Sequence, residues 1–201
     1  MNKNRKNTAI IGILLCCIYY FVVISFVTTT SQNWLATFDI VTMFSGIYFI
    51  FLIMTLPFSN DKKNQNSKIA AIIFVSALMI FTNLVHTINL ISIQNLKNGI
   101  DIPNYLQIGK PNSFLTAIEY LAWGIFLGLA FLFSFFGIKN ENKTKSLKII
   151  LLICAILCFI GFFGWLIINE NLWYMASMGY GIGTIIICIK LLIYKHNVQK
   201  N

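Results

Sequence analysis

The chain has 201 residues, of which 58% are hydrophobic and only 10% are charged. A water-soluble domain usually carries about 25% charged residues, so this composition excludes an ordinary soluble fold. The net charge of +9 does not indicate nucleic-acid binding, because the basic residues are scattered over four separate segments and are not gathered on one surface. We therefore expect a membrane protein that has no nucleic-acid partner.

Six apolar stretches follow one another along the chain, each close to the length of about 20 residues that a bilayer-spanning helix needs. They cover residues 9–27, 38–58, 69–90, 114–138, 147–168 and 172–194. The stretches are too long for barrel strands and do not alternate in hydropathy, so helices are the expected spanning element. The sequence predicts an all-α fold, a polytopic bundle of six transmembrane helices in a single domain over residues 1–201.

The distribution of basic residues predicts the orientation of this bundle. Two of the fifteen, Lys97 and Lys110, lie in the third connection, and the other thirteen lie at the N-terminus, around the second and fourth connections, and near the C-terminus. The thirteen are Lys3, Arg5, Lys6, Lys62, Lys63, Lys68, Lys139, Lys143, Lys145, Lys148, Lys190, Lys195 and Lys200. Basic residues accumulate on the cytoplasmic side of short loops. We therefore expect both termini in the cytoplasm, with the protein in a bacterial plasma membrane.

The connection between the third and fourth stretches, residues 91–113, differs from the others in length. Helix–helix connections typically have 2–8 residues, and this one mixes Pro103, Gly109 and Pro111 with apolar side chains. Such a segment suits either a lid that lies flat on the outer surface or a loop without fixed structure. By contrast, Asn169-Glu170-Asn171 predicts a tight turn between the fifth and sixth helices.

Ionisable residues inside a membrane are candidates for function, because each costs about 2.5–3.5 kcal/mol at a helix centre. Asn83, His86 and Asn89 lie on or beside one face of the third helix in its predicted outer half, and Glu119 lies at a similar depth in the fourth. We predict that His86 and Glu119 approach within hydrogen-bond reach or share a water molecule, so that each alters the protonation of the other. The rest of the predicted outer-half ligand pocket is Asp39, Tyr174 and Ser177.

Each of these residues also has an explanation that needs no ligand. A carboxylate such as Asp39 or Glu119 near a helix N-terminus is stabilised by the helix dipole, and Glu119 follows Thr116 at the spacing of a capping box. His86 suits a hydrogen bond between helices. The tryptophans near the predicted outer boundary suit an aromatic belt at the membrane interface. These are Trp34, Trp123 and Trp173.

The sequence predicts no metal and no cofactor. Its five cysteines all fall within apolar stretches, and an odd number there argues against a disulfide framework. Cys154 and Cys158 are one helical turn apart, but a metal site would need further thiolate or imidazole ligands. Motifs of common enzyme families, such as His-Glu-x-x-His and Gly-x-Ser-x-Gly, are also missing. Gly124 and Gly128 predict close packing against a neighbouring helix.

Three short runs resemble segments of small six-helix membrane proteins of bacteria. They are IEYLAWG from Ile118, LGLAFLF from Leu127 and DIVT from Asp39. The resemblance implies the same six-helix fold, but that family has no established activity that it would imply for this chain.

Three functional hypotheses remain open at this point. The first is a non-enzymatic bundle that binds a small or lipidic ligand in the outer-half pocket, as a component of transport or sensing. The second is an intramembrane enzyme that uses His86 and Glu119 as acid–base partners. The third is a structural or accessory subunit in which the polar residues only join helices. Membrane lipids are expected partners in all three, and a homo-oligomer or another helix-packing partner is left open.

Overall fold

The structure is a computed structural model that describes residues 3–29, 32–110 and 112–194. It is 86% helical, and no strand occurs within these ranges. Six of its helices are long and apolar enough to cross a membrane. The predicted all-α bundle of six such helices is therefore confirmed.

Most of the helices extend past the apolar stretches that predict them. Their bounds are α1 Lys3–Thr29, α2 Gln32–Thr55, α3 Lys62–Lys97, α4 Phe114–Gly137, α5 Asn142–Leu166 and α6 Asn171–Ile193. The polar ends of α2 and α3 have no apolar signal, but their backbone groups still gain helical hydrogen bonds. Consequently α2 begins well before Phe38, where its apolar stretch starts.

The six helices form a ring in chain order. Each packs against the next, and α6 closes the ring against α1. The centre is filled by buried side chains, including Phe49, Trp123 and Phe131, whose rings meet edge to face. The predicted role of Gly124 and Gly128 in packing is confirmed: an added Cβ at Gly124 would lie 2.5 Å from Cβ of Phe162 in α5.

Helices α4 and α6 each contain a short π-helical segment. These are Leu121–Phe126 in α4 and Met178–Ile182 in α6. A π-helical turn inserts an extra residue, which rotates the side chains that follow, and such turns occur frequently at functional sites. Here the two segments place Trp123 against Tyr180, with ring centroids 4.7 Å apart.

The long third connection is partly taken up by α3, which continues to Lys97. The remainder contains a 3₁₀ turn at Asn104–Leu106, and Ser113 Oγ donates a hydrogen bond to the Tyr105 carbonyl over 3.1 Å. The sequence left open whether this segment is an ordered lid or a loop without fixed structure. The turn and the hydrogen bond favour an ordered segment. A tight turn before α6 is also present, but it lies at residues 167–169, slightly earlier than predicted, and Ile168 adopts a positive φ of 54° in it.

Both described ends of the chain lie at the same end of the bundle. The Arg5 guanidinium stacks over the Tyr194 ring at 5.0 Å from its centroid, and its Nε donates to the Thr55 carbonyl over 3.0 Å. At this end the segments that follow α2 and α4 pair through an antiparallel bridge between Phe58 and Ile138. The polar residues predicted as a ligand site lie toward the opposite end.

Candidate functional site

A buried carboxylate–imidazole pair joins α2 to α3. His86 Nδ1 lies 2.6 Å from Asp39 Oδ1, and both side chains are fully buried. A carboxylate at this distance holds the proton on Nδ1 and fixes the orientation of the ring. The Phe38 ring packs edge to face against the imidazole with centroids 5.8 Å apart, which further limits its rotation.

The second oxygen of Asp39 is also occupied. Asn89 Nδ2 donates to Asp39 Oδ2 over 2.8 Å, from the turn of α3 that follows His86. The Asp39 carboxylate thus accepts from two side chains of one neighbouring helix. A buried carboxylate needs such partners, because an unpaired charge in a low-dielectric interior is strongly destabilising.

Glu119 in α4 approaches the other nitrogen of the same imidazole. His86 Nε2 lies 3.2 Å from Glu119 Oε2, which is within ion-pair distance. The two groups are not aligned for a hydrogen bond, and neither atom has a hydrogen-bond partner among the described residues. The Glu119 side chain is 19% exposed, so it is the member of the cluster that reaches toward the surroundings.

The structure excludes the two helix-end explanations for these carboxylates. Because α2 begins at Gln32, Asp39 lies about two turns inside the helix and is not in its first turn. Helix α4 is capped by Ser113, whose Oγ accepts from the backbone N–H groups of Leu115 and Thr116. Glu119 is beyond this cap and faces His86.

Three of the predicted pocket residues do not join the cluster. Asn83 donates to the Met79 carbonyl of its own helix over 2.8 Å. Tyr174 is 69% exposed, and the Ser177 hydroxyl donates back to the Tyr174 carbonyl over 2.7 Å. Neither side chain makes a hydrogen bond to Asp39, His86 or Glu119 among the described residues, so their place on the rim of the pocket stays a prediction. Exposure of Tyr174 suits its place at the predicted membrane interface.

Aromatic residues that the prediction did not assign to the site lie beside it. Tyr19 of α1 packs against Phe38, with centroids 5.6 Å apart, and its hydroxyl lies 3.4 Å from that of Tyr180. Glu119 is close enough to interact electrostatically with both tyrosines. Trp123 is only 5% exposed, so its assignment to an aromatic belt is wrong. The one signal in the sequence for Tyr19 is a phenol within an otherwise apolar helix.

A small internal cavity borders this aromatic group. It has a volume of about 20 Å³ and is lined in part by Tyr19, Ser45, Trp123 and Tyr180. A volume of about 10–15 Å³ is enough to hold one water molecule. Trp123 Nε1 is buried and has no hydrogen-bond partner among the described residues. The space beside these aromatic residues therefore accommodates a group of about the size of water, but none of Asp39, His86 and Glu119 lines it.

The cluster defined by Asp39, His86, Glu119 and Asn89, hereafter the imidazole cluster, is suited to holding and passing a proton. Its three ionisable groups lie in a row, and an imidazole between two carboxylates can accept a proton at one nitrogen and give one up at the other. The two carboxylates lie against opposite ring nitrogens, which is a poor arrangement for one shared cation. Within the described ranges, no group of three or more His, Cys, Asp or Glu side chains is arranged to hold a metal ion.

The fold and the imidazole cluster define the class of this protein as a multi-pass helical membrane protein with a buried ionisable centre. Comparison with known proteins adds nothing more specific, since no family model, no curated protein and no solved structure matches the chain. The resemblance to small six-helix bacterial proteins therefore stays a prediction.

Proposed function

We propose that this protein is a component of membrane transport or sensing whose small ligand is bound at the imidazole cluster, and that proton binding there sets its state. The observation that carries the proposal is the row of Asp39, His86 and Glu119 across three helices, with distances of 2.6 Å and 3.2 Å. Intramembrane ionisable residues of this kind commonly mark proton relays and substrate pathways.

The charges of the cluster favour a proton as the ligand. With both carboxylates and the imidazole ionised, the cluster carries one net negative charge in a region where an uncompensated charge is costly. One added positive charge would neutralise it. Glu119, which is partly exposed, is the proposed point of entry.

A change in protonation would act on the packing of three helices at once. Asp39 lies in α2, His86 and Asn89 in α3, and Glu119 in α4. Adding or removing a proton changes which of these groups attract each other, and packed helices respond by small shifts between discrete arrangements. Proton binding can in this way be converted into a movement that a transporter or sensor uses.

The sidedness of the proposal follows from the basic residues. Thirteen of the fifteen lie in segments that we assign to the cytoplasmic side, and with this orientation the imidazole cluster would lie in the outer half of a bacterial cell membrane. Cysteine introduced at Asn104 in a cysteine-free background should react with an impermeant reagent in intact cells. Cysteine at Asn64 or Asn142 should react only after permeabilisation. Reaction at Asn64 in intact cells would overturn this orientation.

Hydrogen exchange at different pH values tests the proposed response to protons. The protein, reconstituted in lipid nanodiscs, is compared over about pH 4 to pH 10, which spans the ordinary ranges of carboxyl and imidazole groups. After correction for intrinsic exchange rates, we expect a pH-dependent change in protection in the halves of α2, α3 and α4 around the cluster. His86→Gln should remove this change.

The chain offers a matched control, because it contains only two histidines, His86 and His196. His196→Gln should leave the pH response intact. Protection that is independent of pH in the unaltered protein, or a response that survives His86→Gln, would contradict the proposal.

An acid–base enzyme is the second candidate, and the geometry of His86 favours it in one respect. Asp39 orients the imidazole while Nε2 has no hydrogen-bond partner among the described residues, as in a general base that is held by a carboxylate. Incubation of the protein with a bacterial lipid extract, followed by mass spectrometry, distinguishes this alternative. An enzyme should consume or form a lipid species, and His86→Gln should not.

A further inference from the structure

A basic cavity lies at the end of the bundle that carries both termini, away from the imidazole cluster. It has a volume of about 490 Å³, and its cationic lining residues are Arg5, Lys68 and Lys139. None of its described lining residues is acidic. The carboxylate of Asp61, on the neighbouring connection, already accepts hydrogen bonds from Ser59 Oγ and Asn64 Nδ2. The lining itself therefore carries three positive charges, and the nearby Asp61 carboxylate compensates at most one of them.

Arg5 is the most constrained of these cations. Its Nε donates to the Thr55 carbonyl, and its Cζ lies over the Tyr194 ring, 5.0 Å from the centroid. Its Nη1 is buried and has no hydrogen-bond partner among the described residues. A buried N–H of a cation is costly when unpaired. An anionic oxygen would supply a charge-assisted hydrogen bond at this position, and phosphate matches the geometry of a guanidinium well.

An apolar groove continues from the basic cavity along the bundle. It has a volume of about 810 Å³ and lies between α1 and α2, and Arg5 and Leu56 line both spaces. Its walls include Phe44 and Phe51, which are 61% and 57% exposed. Of the six spans, α1 has the smallest share of residues buried inside the bundle. The groove thus faces the region where lipid acyl chains lie.

We propose that the basic cavity and the groove together form a binding site for an anionic phospholipid. The phosphate lies among Arg5, Lys68 and Lys139, and one acyl chain lies in the groove between α1 and α2. The basic cavity and the apolar groove adjoin each other at Arg5, which lines both. In a phospholipid the phosphate and the acyl chains are likewise adjacent, because both are attached to the glycerol. The three cations select an anionic headgroup, because basic residues at a membrane surface attract anionic lipid.

A soluble anion is a poorer occupant of the same site. Inorganic phosphate or a phosphorylated metabolite would satisfy the cations but would leave the exposed aromatic walls of the groove uncovered. A lipid satisfies both the cations of the cavity and the apolar walls of the groove. Its headgroup would lie at the membrane surface, where the basic residues at this end of the bundle are also expected. The site is separate from His86 and does not depend on its function.

Native mass spectrometry of the detergent-solubilised full chain tests the proposal with defined lipids. Phosphatidylglycerol and phosphatidylcholine with identical acyl chains serve as probes. We expect phosphatidylglycerol to bind roughly a hundredfold more tightly, because three cations that each contribute about fivefold act together. Equal affinity for the two lipids would overturn the proposal.

Variants locate the headgroup. Arg5→Gln and Lys139→Gln should each lower the affinity for phosphatidylglycerol by roughly fivefold. Lys145→Gln is the matched control, because Lys145 lies at the same end, is exposed and does not line the cavity. Arg5 also ties α1 to α2, so Lys139→Gln keeps the test valid should Arg5→Gln fail to fold. An equal loss in Lys145→Gln and Lys139→Gln would show general surface attraction and would contradict a defined site.

A second pair of variants tests the groove. Ile47→Trp would fill it, whereas Ile153→Trp adds the same bulk at an exposed position of α5 that lines neither cavity. We expect weaker lipid binding in Ile47→Trp alone. Glycerol phosphate, which has the headgroup chemistry without chains, should fail to displace the lipid at equal concentration. Displacement by glycerol phosphate, or unchanged binding in Ile47→Trp, would restrict the site to a soluble anion and overturn the proposal of a lipid.

Discussion

Replacement of each carboxylate of the imidazole cluster by alanine should have very unequal effects on stability. Asp39 makes two interhelical contacts, 2.6 Å to His86 and 2.8 Å to Asn89, and is fully buried. Interhelical hydrogen bonds in membranes contribute about 0.6–1.7 kcal/mol each, and a buried polar group left unpaired costs a further 1–3 kcal/mol, roughly. We expect Asp39→Ala to lower the free energy of unfolding by about 3 kcal/mol on this basis.

Glu119→Ala should lower the free energy of unfolding by about 1 kcal/mol or less, because an ion pair that is partly open to its surroundings contributes little to stability. Glu119 makes no hydrogen bond to His86 and is 19% exposed. The assay is reversible unfolding in mixed micelles, followed by circular dichroism, and Asp101→Ala in the third connection is the control for loss of an exposed carboxylate. Equal costs for Asp39→Ala and Glu119→Ala, or a larger cost for Glu119→Ala, would refute the assignment of Asp39 as the residue that holds the imidazole.

Two further predictions concern packing and backbone conformation. Gly124→Ala should destabilise the bundle by about 1–3 kcal/mol through overpacking against Phe162. The control Gly46→Ala should be neutral, because its new Cβ would meet its neighbours at an ordinary contact distance of 3.6 Å. Equal melting temperatures of the two variants in detergent would mean that Gly124 is not at a tight interface. Ile168→Gly should raise stability by about 1 kcal/mol, because a β-branched residue at φ 54° is strained. A lower melting temperature of Ile168→Gly would show that its side chain contributes packing that outweighs this strain.

The fold was predictable because a membrane imposes one requirement on the whole chain. Every apolar stretch must satisfy its backbone hydrogen bonds internally, so length and hydropathy alone locate the six helices. The same criterion could not locate their ends. Gln32 and Asn33 begin α2 without an apolar signal, and this error made Asp39 look like a helix-end residue. Its burial in the cluster follows from a helix that starts about two turns earlier than its apolar stretch.

The site was predictable only in part. Helical periodicity shows which residues share one face of a helix, but it does not show which other helix packs against that face. It placed His86 and Asn89 on one side of α3, and depth placed Glu119 opposite. Periodicity could not foresee the π-helical segment Met178–Ile182, within which Tyr180 packs against Trp123. It also could not foresee that α6 closes the ring against α1, which brings the Tyr19 hydroxyl to that of Tyr180.

Nuclear magnetic resonance of the His86 imidazole tests the central claim most directly. The protein is labelled with ¹⁵N-histidine in a His196→Gln background, which leaves one imidazole in the chain. We predict an Nδ1 proton with the signature of a hydrogen bond to a carboxylate, lost in Asp39→Asn, and a titration midpoint that moves in Glu119→Gln. An imidazole that titrates near its ordinary value of about 6.5, without response to either substitution, would contradict a proton-binding cluster of Asp39, His86 and Glu119.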